Sequence, residues 1–132
     1  MRSAFSGLRK ARLQVQHLAA GAAYQGGRSV VSNLAQSGTL RQAIFFGNDA
    51  LAAGGLMECQ HRAISVPRTL AIVGFADLAI AQAMEPAITT VRVPTRRMGE
   101  VAAQLLLARL QGKKPVAPVV DLGFELIRRT SA

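Results

Sequence analysis

Cysteine, aromatic residues and long hydrophobic runs are scarce in this chain of 132 residues. With one cysteine, Cys59, the chain cannot form an internal disulfide, which fits a reducing compartment. There is no apolar run of the roughly eighteen residues that a membrane-spanning helix needs. The first twenty residues lack a continuous apolar core, so they do not resemble a secretory signal. Half of the residues are nevertheless hydrophobic, which is enough for a sizeable core in one domain.

Acidic residues are absent from the first third of the chain. Residues 1–48 carry six basic side chains and no acidic one, whereas residues 49–132 contribute only +3 to the net charge of +9. A basic segment can bind phosphate backbones, but few aromatic residues stand between these cations for base stacking. The Arg-rich, acid-free start also resembles an organellar transit peptide. We favour an ordinary helix with a solvated basic surface, and expect no nucleic-acid or membrane contact from this chain itself.

Signatures of catalysis, cofactor binding and metal binding are missing as well. The glycines of residues 21–27 are not followed by the Gly-Lys-Ser/Thr of a phosphate loop. His17 and His61 lie forty-four positions apart, which is not a metal-ligand spacing. Cys59 has no identifiable activating partner, and no nucleophile–base–orienter set is found. We therefore expect a protein that is not an enzyme and that needs no cofactor or metal.

Strand and helix patterns alternate from residue 40 onward, which indicates an α/β fold with a parallel sheet flanked by helices. Residues 1–42 are less regular, and we predict a basic, mostly helical leader, with Val30, Val31 and Leu34 on one side of its second helix. The patterns predict buried strands at 43–46 and 70–75, a third strand at 89–93, helices at 49–62, 79–84 and 96–110, and extended structure at 119–127.

Polar residues directly follow the first two predicted strands. In an open parallel α/β sheet, ligands lie in the crevice beyond the carboxyl ends of the strands, which is where these residues belong. Asn48 offers both a donor and an acceptor, which suits the adjacent hydroxyls of a sugar or sugar acid. The alternative is a turn asparagine that bonds its own backbone. Asp49 is predicted to cap the helix that follows it.

Two further candidates for this crevice are Asp77 and Arg92. Asp77 follows the second strand, where it would contact a ligand or, in the interpretation we favour, cap the next helix. Arg92 lies in the third predicted strand, near the same crevice. It would attract a carboxylate or simply face solvent, and the sequence leaves both readings open.

Six segments, taken in order, resemble the effector-binding domain of the LacI/GalR family of bacterial transcriptional regulators. Each segment alone is weak evidence for the family, but their order and spacing over about ninety residues are characteristic of it. Two others, LMECQHRAI at 56–64 and DLGFE at 121–125, look most like the gluconate-utilisation repressors. The six segments are FGNDALAAG at 46–54, VP at 66–67, AIVGFAD at 71–77, PAITTV at 86–91, MG at 98–99 with LLL at 105–107, and ELIRR at 125–129.

The resemblance implies that residues 43–132 are the C-terminal subdomain of a sugar- or effector-binding domain of the periplasmic-binding-protein type. Family members also carry a helix-turn-helix headpiece and an N-terminal subdomain, and residues 1–42 resemble neither. The resemblance therefore implies a cytoplasmic homodimer that reaches operator DNA only through a headpiece missing here. It also implies a ligand contact at Asn48. Ala76 stands where the family usually has a sugar-binding aspartate, which agrees with an anionic effector such as gluconate.

Two other functions fit the same segments. A fragment of a transporter's sugar-binding protein would share this fold, but we would expect a signal peptide before it. A stand-alone domain that pairs with a full-length regulator through a shared interface is the other alternative. The apolar helix 49–62 and its neighbours are the candidate twofold interface, since most oligomers are symmetric dimers.

Overall fold

A four-stranded sheet forms the centre of the computed structural model, which describes residues 14–21, 23–113 and 119–132. The strands lie side by side in chain order. Residues 14–21 of the predicted helical leader have no regular structure, and residues 1–13 lie outside the described residues. The elements are α1 (Ala23–Gln36), β1 (Ala43–Phe45), α2 (Asp49–His61), β2 (Ala71–Phe75), α3 (Ala79–Ala83), β3 (Thr89–Arg92), α4 (Thr95–Leu110) and β4 (Glu125–Ile127).

The α/β fold class is confirmed, with one addition to the predicted sheet. Strands β1, β2 and β3 are parallel and are joined through α2 and α3, whereas β4 runs antiparallel to β3. The predicted extended segment at 119–127 forms a strand only over its last three residues. The prediction of a buried strand at 43–46 was wrong for β1, because β1 is an edge strand with Phe45 61% exposed. Phe46, one residue later, is buried.

The core lies where α1 and α2 pack over the sheet. Val30, Val31 and Leu34 of α1 are buried, which confirms the predicted apolar side of this helix. They meet Leu56 of α2 and Ile72 of β2 in one hydrophobic cluster. Helix α1 is therefore part of this packed unit, while the domain boundary at residue 42 stays a prediction.

Glycines allow the backbones of α1 and α2 to approach each other closely. A Cβ atom at Gly27 would collide with the carbonyl oxygen of Leu51, and one at Gly54 would collide with the carbonyl oxygen of Tyr24. Both glycines therefore lie at the helix–helix contact, where any side chain would push the helices apart. Gly54 faces α1, while its neighbour Gly55 lies against the ring of Phe46 and near Val31.

Helix α4 begins one residue before the predicted helix and has no buried residue. Its apolar side chains are therefore not covered within the described chain. Met98, Leu105 and Leu106 are 47%, 41% and 60% exposed. None of the helices described, α4 included, combines the length and hydropathy that crossing a membrane requires.

The last residues of the chain connect the amino ends of β2 and β3. Ser131 is fully buried and its hydroxyl donates to the carbonyl oxygen of Ile72 at 2.6 Å. The same hydroxyl accepts the backbone N–H of Thr89 at 2.9 Å, and the Ser131 carbonyl accepts the N–H of Ile72 at 2.8 Å. The C-terminal segment therefore satisfies backbone groups that the ladder leaves unpaired.

We predict that Gly54→Ala will lower the free energy of unfolding by about 1–3 kcal/mol, because the added methyl group has only backbone to displace. Gly99→Ala is the matched control, since Gly99 also lies in a helix but has no atom within 4 Å of an added Cβ. That substitution should be neutral or stabilise by up to about 1 kcal/mol. Urea denaturation of the three proteins measures the differences. Equal stability of the two variants would contradict the close helix contact.

Candidate functional site

Asn48 and Asp49 lie where β1 leads into α2, and the capping role predicted for Asp49 belongs to Asn48. Asn48, not Asp49, is the N-cap: its side-chain oxygen Oδ1 accepts the backbone N–H of Leu51 at 2.8 Å. Asp49 is the first residue of the helix and is fully buried. Because capping uses only the oxygen of Asn48, its side-chain NH₂ group has no hydrogen-bond partner in the described part of the chain.

The carboxylate of Asp49 connects three segments at the carboxyl edge of the sheet. Oδ1 accepts the hydroxyl of Thr90 on β3 at 2.6 Å, and Oδ2 accepts the backbone N–H of Leu78, just before α3, at 2.6 Å. Gly74 of β2 leaves the room for this arrangement, because a Cβ atom there would collide with Oδ1. A buried carboxylate is costly unless it is hydrogen-bonded, so these bonds hold the three segments in one geometry.

Asp77 does not cap α3, contrary to the interpretation favoured above. The N-cap position is Leu78, which makes no side-chain capping bond. The Asp77 carboxylate instead pairs with two arginines, Oδ2 with Nε of Arg92 at 2.7 Å and Oδ1 with Nη2 of Arg129 at 2.7 Å. Ala76 and Asp77 have φ angles of 99° and 54°, a left-handed backbone that turns the chain sharply after β2.

Two opposing effects act on the pKa of Asp77. Burial favours the neutral acid and would raise the pKa, but the hydrogen bonds from Arg129 and then Arg92 outweigh it and hold the pKa below 3.8. Asp77 is therefore ionised, and both of its oxygens already accept a charged donor.

Arg92 ends β3 and is held between two carboxylates. Besides Asp77, its Nη1 lies 3.2 Å from Oε2 of Glu125, the residue directly opposite it on β4. The hydrogen bond to Asp77 is the main reason that the pKa of Arg92 is raised above its usual value. The side chain is still 50% exposed. A permanently charged guanidinium is therefore fixed at the open edge of the sheet.

The structure brings Asp77 and Arg92 into direct contact. Asn48 lies at the same carboxyl edge of the sheet, after β1, which is the neighbour of β2. Sequence reasoning missed Arg129 and Glu125 as parts of this arrangement. Both occur in the ELIRR segment, but no local pattern signals that Arg129 pairs with a residue 52 positions earlier. We call Asn48, Asp77, Arg92, Glu125 and Arg129 the edge cluster.

A second polar region lies between α1 and α2, in a groove of about 280 Å³. Its buried Glu58 pairs with Arg62 at 2.7 Å and with Arg28 at 3.0 Å. The hydrogen bond from Arg62, partly opposed by burial, lowers the pKa of Glu58. Glu58 lies nine residues after Asp49, about 14 Å along α2, so this groove is separate from the edge cluster. The Arg28–Glu58 pair joins the two helices, because Arg28 lies on α1 and Glu58 on α2.

The described residues contain no metal site and no thiol suited to nucleophilic chemistry. No group of three or more His, Cys, Asp or Glu side chains there is arranged to share a metal ion. Cys59 is fully buried, and burial, reinforced by the charge of Glu58, raises the pKa of its thiol to about 11. A thiol with that pKa is a poor nucleophile near neutral pH.

We predict that Thr90→Val will lower the free energy of unfolding by about 1–3 kcal/mol, because it leaves one oxygen of the buried Asp49 carboxylate without its donor. Thr69→Val is the matched control, because Thr69 is exposed. It should change the stability by less than about 0.5 kcal/mol. Urea denaturation gives both values. A Thr90→Val protein as stable as the control would contradict the structural role of the Asp49–Thr90 bond.

The ion pairs of Asp77 predict an acid-dependent loss of stability. Its pKa is lower in the folded chain than the ordinary value of 3.8, so the stabilisation is complete above that pH and is lost as the pH falls through the folded pKa. Asp77→Asn removes this titration, so its free energy of unfolding should fall less steeply as the pH drops below 3.8. Urea titrations at several pH values measure the slopes. A slope for Asp77→Asn equal to that of the unsubstituted chain would refute the assignment.

Comparison with known proteins identifies the family. A family model described as a periplasmic binding protein-like domain matches residues 1–132. The HTH-type transcriptional regulator GntR of Escherichia coli (strain K12) is 37% identical over 103 residues, which are 78% of this chain and 31% of that protein. The lactose operon repressor of Rhizobium radiobacter is 39% identical over 90 residues, 68% of this chain and 79% of that protein.

Solved structures agree. The transcription regulator GntR from Chromobacterium violaceum is 35% identical and superposes with a TM-score of 0.81. The match covers 96% of this chain and 48% of the GntR chain. The transcriptional regulator CelR in complex with cellobiose is 25% identical, with a TM-score of 0.86 over 97% of this chain and 40% of its own. This chain thus spans about a third of the Escherichia coli relative and under half of these structures. It belongs to the periplasmic-binding-protein-like domains of LacI/GalR-type transcriptional regulators.

Proposed function

We propose that this chain forms one side of the effector cleft of a LacI/GalR-type regulator, and that the effector is a sugar or sugar acid, with gluconate as the first candidate. The observation that carries the proposal is the edge cluster itself. Beyond the carboxyl ends of β1 and β3, it offers the side-chain NH₂ of Asn48 and the fixed guanidinium of Arg92. Amide and guanidinium donors at such an edge suit hydroxyl and carboxylate oxygens.

Asn48 and Arg92 would contact the effector, whereas Asp77 serves differently from the direct ligand role considered in the sequence. Both oxygens of Asp77 accept from arginines, so we assign it to holding Arg92 in place. The resemblance of segments 56–64 and 121–125 to gluconate-utilisation repressors supports a sugar acid. A related regulator forms a complex with cellobiose, which supports the broader sugar class.

In the intact regulator, the effector would bind one arrangement of the two sides of the cleft better than the other and thereby shift the equilibrium between them. Coupling of that kind typically amounts to about 1–3 kcal/mol. Operator DNA would be bound by a headpiece outside this chain. We further propose a cytoplasmic homodimer without enzyme activity. Most of α2 is covered within the chain. Met57 is 38% exposed and apolar, so it is the residue of α2 that we assign to the candidate dimer surface.

The test is an NMR titration of the isotope-labelled chain with gluconate and with glucose, up to concentrations that detect a Kd of about 1 mM or weaker. We expect the largest amide shifts at residues 47–49, 76–78 and 91–93. Shifts confined to the groove between α1 and α2, or no shifts with either compound, would contradict the proposal.

We predict that Asn48→Asp will weaken effector binding without destabilising the fold. Aspartate caps a helix as well as asparagine does, but it lacks the NH₂ donors and adds a negative charge. The loss should be at least about tenfold for gluconate, because a good donor is replaced by a repelling acceptor. Asn33→Asp, on the exposed surface of α1, is the matched control and should leave binding unchanged. An Asn48→Asp protein that binds normally would exclude Asn48 from the site.

A further inference from the structure

The two carboxylates that hold Arg92 are not equivalent. Asp77 is largely buried, with 11% of its side chain exposed, and accepts from Arg92 at 2.7 Å. Its other oxygen is fixed by Arg129, which also donates to the carbonyl oxygen of Ile88 at 2.9 Å. Glu125 is 66% exposed and makes one longer contact of 3.2 Å with Arg92. The first pair is therefore a fixed support, and the second is a surface ion pair of small net stability.

Arg92 can donate further hydrogen bonds from one side of its guanidinium group. Nε donates to Asp77 and Nη1 to Glu125, while Nη2 has no partner within the described chain. A carboxylate is bound most strongly when it accepts two parallel N–H bonds from one guanidinium group. Nη1 carries two N–H donors and Glu125 contacts it once, so a carboxylate bonded to the Nη1 and Nη2 pair would share Nη1 with a like-charged neighbour.

From this geometry we propose that Glu125 is an internal competitor for a carboxylate-bearing effector, so that the edge cluster selects sugar acids over neutral sugars. This inference rests on the proposed function and adds the chemical class of the ligand and a specificity-determining residue. On binding, the effector carboxylate takes the Nη1–Nη2 side of Arg92 and Glu125 moves into solvent. Asp77 and Arg129 keep the guanidinium in place during the exchange, so they act as positioning residues.

The exchange makes the affinity for an anion depend on the charge of Glu125. Glu125→Gln leaves a neutral group that competes weakly for Arg92, so the affinity for gluconate should rise about two- to fivefold. The affinity for glucose should not change, because glucose has no carboxylate to compete. Arg92→Gln should abolish the preference for gluconate over glucose. Glu100→Gln is the matched control, since Glu100 is also a part-exposed glutamate paired with arginines, but on α4.

The experiment is the same NMR titration, applied to the unsubstituted chain and these three variants with gluconate, glucose 6-phosphate and glucose as probes. Tighter gluconate binding by Glu125→Gln, with no change for Glu100→Gln, supports the competitor role. An equal gain for glucose 6-phosphate identifies a general anion site in place of a carboxylate site and overturns the selection of sugar acids. Equal binding of gluconate and glucose, unaffected by Glu125→Gln, overturns this inference and leaves the sugar cleft intact. No binding of any probe overturns both.

Discussion

The geometry at the carboxyl edge of the sheet depends on the hydrogen bonds that the buried carboxylate of Asp49 accepts. This carboxylate connects the start of α2 with the turn before α3 and with Thr90 of β3, so the segments that follow β1 and β2 are fixed against a third strand. An unpaired carboxylate in this position would be costly, which favours the single arrangement in which both oxygens are satisfied. Gly74 completes the constraint, because a side chain there would occupy the space of the carboxylate.

The three carboxylates at this edge differ in how deeply they are buried. Asp49 is buried and bonded to neutral donors, Asp77 is largely buried between two arginines, and Glu125 is exposed. The more buried the carboxylate, the more its bonds are part of the fold and the less it is available to a ligand. Arg92 belongs to both kinds of contact, since it pairs with the largely buried Asp77 and with the exposed Glu125.

Local patterns in the sequence predicted most of the elements, because strand and helix periodicity and cap residues act over a few positions. The α/β class, the apolar side of α1 and the placement of Asn48 and Arg92 at one edge followed from such patterns. The same reasoning misassigned the cap at Asn48 and Asp49, which are adjacent residues with equally good capping side chains. It gives no partner for the apolar side chains of α4, because an apolar stripe on a helix does not show what covers it.

By itself, the sequence determined which segments form strands and helices, which family they resemble and which polar residues follow each strand. Only the tertiary structure decided that β4 is antiparallel, that Asp77 pairs with Arg92 and Arg129, and that Ser131 joins β2 to β3. The physical reason is range. Periodicity and capping depend on neighbours along the chain, whereas these contacts join residues 15 to 59 positions apart, which only the packed sheet brings together.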